Sequence, residues 1–166
     1  MMQSTLLRRI APTLTRRALS SNAAEASSVM TLNFNLPHET IYNGATVSQV
    51  IVPGAAGEYG VTADHVPVVA QLKAGVLQIL HESAGEPEKY FVPGGFSITH
   101  DNSVTDISCP EAVKVDDIDP AAVSSNFEAA RNAYTAAEAG SAAQAEAMVD
   151  MEVYRSMGSA VGINLS

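Results

Sequence analysis

Tryptophan is absent from this 166-residue chain, aromatic residues make up only 5% of it, and Cys109 is its one cysteine. Without bulky aromatics, a core must rest on aliphatic side chains. One cysteine excludes an intrachain disulfide and a cysteine-built metal centre. Beside a strand-like run, that cysteine reads as a small core residue. Long apolar runs are lacking too. The best, Val66 to Leu80, is interrupted by Pro67 and Lys73 and falls short of the roughly 18 residues a spanning helix needs. Any tie to a membrane must therefore pass through another protein.

Positive charge is also scarce, and it is unevenly placed. Residues 1–24 hold Arg8, Arg9, Arg16 and Arg17 among Ser and Thr, with no acid before Glu25. Arg-rich, Ser/Thr-rich and acid-poor is the composition of an organelle transit peptide. No uninterrupted apolar segment suggests a secretory signal. The expected leader is 1–24, mitochondrial, with cleavage near residues 20–28. Its removal leaves five basic residues against 18 acids, a formal charge of −13. A chain that acidic repels phosphate backbones and anionic lipid, and favours a protein partner with a basic face.

What is present is a series of short apolar runs cut by turn residues. Met30, Leu32, Phe34 and Leu36 alternate, the period of a half-buried strand. Further strands are predicted at Glu39–Tyr42, Thr46–Val52, Glu58–Val61, Val76–Glu82, Glu88–Val92, Phe96–His100 and Val104–Cys109. Asn43-Gly44, Pro53-Gly54, Gly85, Pro93-Gly94-Gly95 and Asp101-Asn102 read as the turns between them. Many short strands at close spacing predict a sandwich of about eight to ten strands over residues 29–115.

The pattern changes after Val115. Asp119 suits a helix N-cap and Pro120 the first helical position. Val123, Phe127, Ala130, Tyr134 and Ala137 then share one helical stripe. Gly140 reads as the helix end, and Ser141 with Gln144 as a capping box opening a second helix. Ala147, Met151, Tyr154, Gly158 and Val161 repeat the stripe there. A short link makes the helices antiparallel, so the fold class is α+β, with a two-helix hairpin at 116–166 behind the sandwich. The large packing side chains of the hairpin are Phe127, Tyr134, Met151 and Tyr154. Each is worth at most about 1.5–3 kcal/mol when buried. The isolated hairpin is therefore expected to be largely unfolded.

Motifs with catalytic overtones are incomplete. Gly54, Gly57 and Gly60 form a Gly-x-x-Gly-x-x-Gly run, but no Gly-Lys-Ser/Thr at a helix start follows, as a phosphate loop requires. His38, His65, His81 and His100 occur in no short paired spacing. Asp64-His65 is sequential, whereas a hydrolase triad is a spatial arrangement, and no Gly-x-Ser-x-Gly elbow is present. Asp116, Asp117 and Asp119 lack the Gly and Glu of a calcium loop. No catalytic residue, nucleotide site, metal site or cofactor is predicted.

Val52-Pro-Gly-x-x-Gly-Glu-Tyr-Gly-Val61, Asp64-His-Val-Pro-Val-Val69, Lys73-Ala-Gly-Val76 and Phe91-Val-Pro-Gly-Gly-Phe96 occur in order. Together they resemble the family of the delta subunit of mitochondrial F-type ATP synthase, the counterpart of the bacterial epsilon subunit. The likeness spans nearly all of residues 30–163 and is weaker in the helices. It implies a non-catalytic rotor part at the foot of the central stalk, coupling rotation of the c-subunit ring through the gamma subunit to ATP synthesis. The implied partners are gamma, the c-ring and the small mitochondrial epsilon subunit. The implied location is the matrix side of the mitochondrial inner membrane, peripheral and within the complex. It also implies that Glu58, Tyr59 and His65 face the ring.

One family feature is missing. Some bacterial members bind ATP through Ile/Leu-Asp-x-x-Arg-Ala at the start of the hairpin. The matching run here is Ile118-Asp-Pro-Ala-Ala-Val123, with Ala122 at the Arg position. Neither ATP binding nor a bacterial-style inhibitory extension is expected. Two readings compete with the rotor subunit: a free β-sandwich adaptor of the mitochondrial matrix that binds proteins, and a metal-dependent barrel enzyme using the histidines.

Overall fold

The computed structural model describes residues 29–166. The expected leader, 1–24, lies outside them. Ten strands come first: β1 (Met30–Asn35), β2 (Thr40–Val47), β3 (Gln49–Gly54), β4 (Gly57–Thr62), β5 (Val68–Leu72), β6 (Gly75–Leu80), β7 (Glu88–Val92), β8 (Gly95–Thr99), β9 (Val104–Ser108) and β10 (Val113–Lys114). A single 3-10 turn at Val115–Asp117 leads to helices α1 (Pro120–Ala136) and α2 (Ala142–Ala160).

The strands pair in the order β10-β7-β6-β3-β5-β8-β9-β1-β2, with β4 on β3. Between β3 and β5 the pairing is a single register position, Gly54 opposite Leu72. The sheet turns a corner there, so β10-β7-β6-β3-β4 faces β5-β8-β9-β1-β2 as two layers. β1 and β9 run parallel and the other pairs antiparallel. Between the layers lie Leu32, Phe34, Val50, Val52, Leu77, Ile79 and Ile107, all fully buried. Phe34 of one layer meets Tyr90 of the other edge to face, ring centroids 5.7 Å apart. The core is aliphatic, as a chain without tryptophan requires, and Cys109 is buried in it.

Several predicted boundaries move. The expected strand Thr46–Val52 is two strands. The chain crosses from one layer to the other at Ser48, whose N–H donates to the Leu80 carbonyl at 2.8 Å. Asn43-Gly44 is no link between strands but an extra residue inside β2, bulged opposite β1 with Gly44 at φ 68°. The Asn33 carboxamide oxygen fixes the bulge by accepting from the Gly44 N–H at 2.7 Å. Pro53-Gly54 belongs to β3, and the turn is Ala55-Ala56. β5 and β10 were not anticipated. Burial alternates along β5, with Val68, Ala70 and Leu72 turned inward, but the outward Val69 is apolar too, so the sequence shows no alternation. β10 is only two residues long.

Both helix starts match their sequence signals. The Asp119 carboxylate accepts from the Ala121 N–H at 2.9 Å, with Pro120 at the first position. The Ser141 hydroxyl accepts from the Gln144 N–H at 3.2 Å. Gln144 reaches back to the Gly140 N–H at 2.8 Å instead of to Ser141, whose own N–H already bonds to Glu138. α1 ends at Ala136, earlier than expected, so Gly140 shapes the link and not the helix end. Its φ of 78° suits glycine.

The hairpin leans on the outside of the sandwich. Tyr90 and Val92 point into the sandwich core. Phe91 points the other way, yet is only 2% exposed. α2 contacts β6, and the 3-10 turn contacts β7. With Phe91, the buried Val123, Phe127, Ala130 and Ala147 make up the buried apolar residues outside the main core. Met151 and Tyr154 are half-buried, while Tyr134 is 37% exposed at the hairpin's open side. Phe127 is thus the principal anchor, and Tyr134 contributes less than its place on the stripe suggested.

Candidate functional site

At one end of the sandwich, the β3–β4 hairpin and the β4–β5 loop come together. β4 pairs with β3 over six positions, from Gln49–Thr62 to Gly54–Gly57, making a stiff two-stranded tongue. Side chains alternate along β4. Tyr59 and Val61 turn inward; Glu58 turns outward and is exposed. The Tyr59 ring lies close over Gly54, where an added Cβ would come within 3.1 Å of its Cε1. Its hydroxyl is buried without a partner.

The β4–β5 loop folds back over this ring. His65 donates its backbone N–H to the Thr62 carbonyl at 3.3 Å, and its Nδ1 lies 2.8 Å from the Val66 carbonyl. The Tyr59 and His65 ring centroids are 6.4 Å apart. Tyr59, His65, Gly57, Val66 and Val69 border an open apolar cleft of about 550 Å³. Of the three expected contact residues, Tyr59 and His65 therefore share one cleft, while Glu58 stands on the opposite side of the tongue.

Beside the cleft, one sheet face is apolar and uncovered. Val69 is 71% exposed, Phe96 56% and Ile98 39%. Val69 pairs with Ile98, and Gln71 with Phe96, across β5 and β8. Asp106 pairs with Ile98 from β9. Its carboxylate accepts from Asn33 Nδ2 at 2.6 Å and lies 2.8 Å from His100 Nε2. The Asn33 bond, helped by His100 and opposed by burial, holds Asp106 below the usual carboxylate range. The face is thus a contiguous exposed apolar patch with an acidic edge.

At the opposite edge, Glu88 of β7 joins the two layers. Its carboxylate accepts from Lys114 Nζ at 2.7 Å, from Tyr90 at 2.9 Å and from the Tyr42 hydroxyl, with His81 Nε2 at 3.3 Å. The Lys114 bond, then the Tyr42 bond, brings the Glu88 carboxyl down to about 2. Burial pushes the Tyr42 and Tyr90 hydroxyls up, and their bonds to Glu88 add to this. Lys114 belongs to β10, the strand that hands the chain to the hairpin. Glu88 thus ties β2, β7 and the hairpin connection together. Sequence reasoning could not find this network, because Tyr42, His81 and Lys114 reach Glu88 from other elements and only Tyr90 lies with it on β7.

The remaining residues singled out for chemistry sit apart. His38 approaches Glu111 at 3.9 Å, His81 joins the Glu88 network and His100 faces Asp106. Among the described residues, no three His, Cys, Asp or Glu side chains are placed to hold a metal. Asp64 and His65 diverge, His65 turning to the Val66 carbonyl. Burial pushes the Cys109 thiol up to about 11, that of an inert core residue. No helix among the described residues is long and apolar enough to cross a membrane.

A two-layer sandwich, a helical hairpin on its back, and exposed turns beside an apolar face fit a coupling or docking subunit. The comparisons specify which. Residues 29–115 match the model of the ATP synthase delta/epsilon chain β-sandwich domain. The chain is 40% identical over 137 residues to the mitochondrial ATP synthase subunit delta of Yarrowia lipolytica, covering 81% of this chain and 82% of that one. It is 35% identical over 149 residues to the F(1) complex subunit delta of Dictyostelium discoideum, covering 90% and 86%. A chain in the Euglena gracilis mitochondrial ATP synthase structure, described as OSCP/F1/c-ring, superposes with a TM-score of 0.74 at 26% identity, over 80% of this chain. The chain belongs to the ATP synthase delta/epsilon family, and within it groups with the mitochondrial delta subunits. It is a non-catalytic rotor subunit of the mitochondrial ATP synthase. That membership displaces the free-adaptor and metal-enzyme readings.

Proposed function

We propose that the free end of the sandwich, with Glu58, Tyr59 and His65, seats on the c-subunit ring, and that the neighbouring Val69, Phe96 and Ile98 face docks the gamma subunit. Rotation then passes from ring to stalk through a body with no hinge between its two contact surfaces. The carrying observation is the adjacency of those surfaces: β5 borders the cleft through Val69 and also supplies the apolar face. A part that transmits torque gains from short, stiff connections, and the six-position β3–β4 tongue supplies one. The surplus of acids favours a partner with a basic face and fixes docking register more than affinity. The small mitochondrial epsilon subunit completes the proposed assembly, which lies peripherally on the matrix side of the inner membrane. In this reading residues 1–24 direct import, 29–115 make the contacts and 116–166 brace the sandwich through Phe127, Met151 and Tyr154, with Tyr134 at the rim.

Affinity purification tests the proposal. A tagged mature chain should recover gamma and the ring from mitochondria under detergent conditions that keep the synthase intact. Monomer alone, under those conditions, contradicts it. Replacing Phe96 with Glu should reduce gamma recovery at least tenfold without unfolding the chain, because the side chain is exposed.

A further inference from the structure

Two residues other than glycine have left-handed backbones among the described residues, Asp64 at φ 59° and Ser103 at φ 60°. They lie 39 residues apart, in different turns, and they touch. The Asp64 N–H donates to the Ser103 hydroxyl oxygen at 2.9 Å. The Ser103 hydroxyl in turn lies 3.4 Å from Asp64 Oδ1, a longer and weaker approach. Aspartate tolerates this conformation; serine favours it less. Such backbones persist where their surroundings hold them, and here the two turns are in direct contact.

The anchoring runs in one direction. Ser103 sits in the β8–β9 turn, and its carbonyl accepts from the Thr31 N–H of β1 at 2.9 Å. Asn102 Oδ1 accepts from the Val104 N–H at 3.3 Å, and the His100 N–H bonds to the Val104 carbonyl at 2.8 Å. That turn is tied into the layer formed by β8, β9 and β1. Asp64 sits in the β4–β5 loop, immediately before His65. On its β4 side this loop is attached only through the β3 pairing, because β4 is an edge strand. Without the contact to Ser103, the loop would be held by its two ends and the His65–Thr62 bond.

We propose that Asp64 and Ser103 form a clasp that presets the β4–β5 loop, making both positioning residues for the contact His65 makes with the c-ring. The inference rests on the ring-contact reading above. A loop ordered before its partner arrives loses less conformational freedom on docking, and it transmits rotation without slack. The clasp also passes load from the loop directly to β1, β8 and β9, bypassing the β3 corner.

Two measurements on Ser103→Ala separate the clasp from the ring contact. In the free full-length mature chain, the Asp64 and His65 amides should exchange with solvent about tenfold faster, the loss of one modest hydrogen bond. Amides of β6 and β7 should be unchanged. In the assembled synthase, disulfide trapping of His65→Cys against cysteines placed along the ring loop should fall several-fold in yield and spread over neighbouring positions. Asp64→Asn, which keeps the N–H, an acceptor oxygen and tolerance of the left-handed backbone, should cause neither defect. Ser103→Gly, at ease at φ 60°, gives the same reading should Ser103→Ala not fold. Unchanged exchange at Asp64 overturns the clasp. Changed exchange with unchanged trapping overturns its positioning role. Failure of His65→Cys itself to trap any ring position overturns the ring reading, and the exchange arm still decides the clasp.

Discussion

Replacing Phe127 with Ala should detach the hairpin while leaving the sandwich folded. Phe127 is 1% exposed, and its partners in the hairpin interface are small: Val123, Ala130 and Ala147. The Arg155 guanidinium lies over the ring, 5.6 Å from its centroid, and loses that contact too. Truncating a buried Phe costs about 3–5 kcal/mol. At about 1.4 kcal/mol per tenfold, the low end is a loss of roughly two decades in the equilibrium that keeps the hairpin closed. No other large buried side chain sits in that interface except Phe91, which stays with the sheet. Residue-resolved hydrogen exchange is the assay. Amides of α1 and α2 should exchange about a hundredfold faster, and those of β1, β6 and β9 should hold their protection. Equal loss in strands and helices would show one cooperative unit and refute the reasoning. So would helices that keep their protection.

Other perturbations test other parts of the structure. The Glu88 carboxyl is near 2 when folded and 4.5 when free, so it stabilises the fold above about pH 4.5, and that contribution is lost as pH falls toward 2. Glu88→Gln should therefore lower stability at pH 7 and flatten the acid limb of a urea-midpoint profile; an unchanged limb would remove the network from the account. Gly95 sits at φ 142°, and a Cβ there would lie 2.3 Å from the Ser108 carbonyl oxygen. Gly95→Ala should cost at least about 2 kcal/mol, read as a fall of several degrees in melting temperature, whereas a neutral result would mean β8 and β9 can separate freely. Ala122 stands where ATP-binding relatives of bacterial origin carry Arg, and only Arg131 and Arg155 are basic in the hairpin. Calorimetry of the mature chain should show no ATP binding below millimolar concentration, and a clear isotherm there would overturn the expectation.

Legibility followed the physics of each element. β1 was readable because one of its faces is buried and the other is not, which forces alternation. The helix starts were readable because a cap is a local bond between a side chain and a nearby N–H. β5 was not, because its outward Val69 is as apolar as its inward neighbours, so burial alternates while the sequence does not. Ser48 gave no warning that the chain changes layers, since the crossing is made by a bond to distant Leu80. Asn43-Gly44 signalled a positive φ correctly, but a bulge and a turn have the same need. The motif around Glu58, Tyr59 and His65 pointed to an exposed end. That Glu58 and His65 lie on opposite sides of the tongue depends on the alternation along β4 and on the fold of the next loop. The Glu88 network and the Val69, Phe96 and Ile98 face arise only when separate strands meet.

In the proposed assembly the sandwich end carrying Glu58 rides on the ring. Disulfide trapping between Glu58→Cys and a cysteine in the polar loop of the ring subunit, in assembled synthase, tests it most directly. The expected product is a gamma-associated chain covalently joined to one ring subunit, with proton-driven ATP synthesis continuing because ring and stalk turn together. No trapped product at any ring-loop position, in a complex that still synthesises ATP, would contradict it.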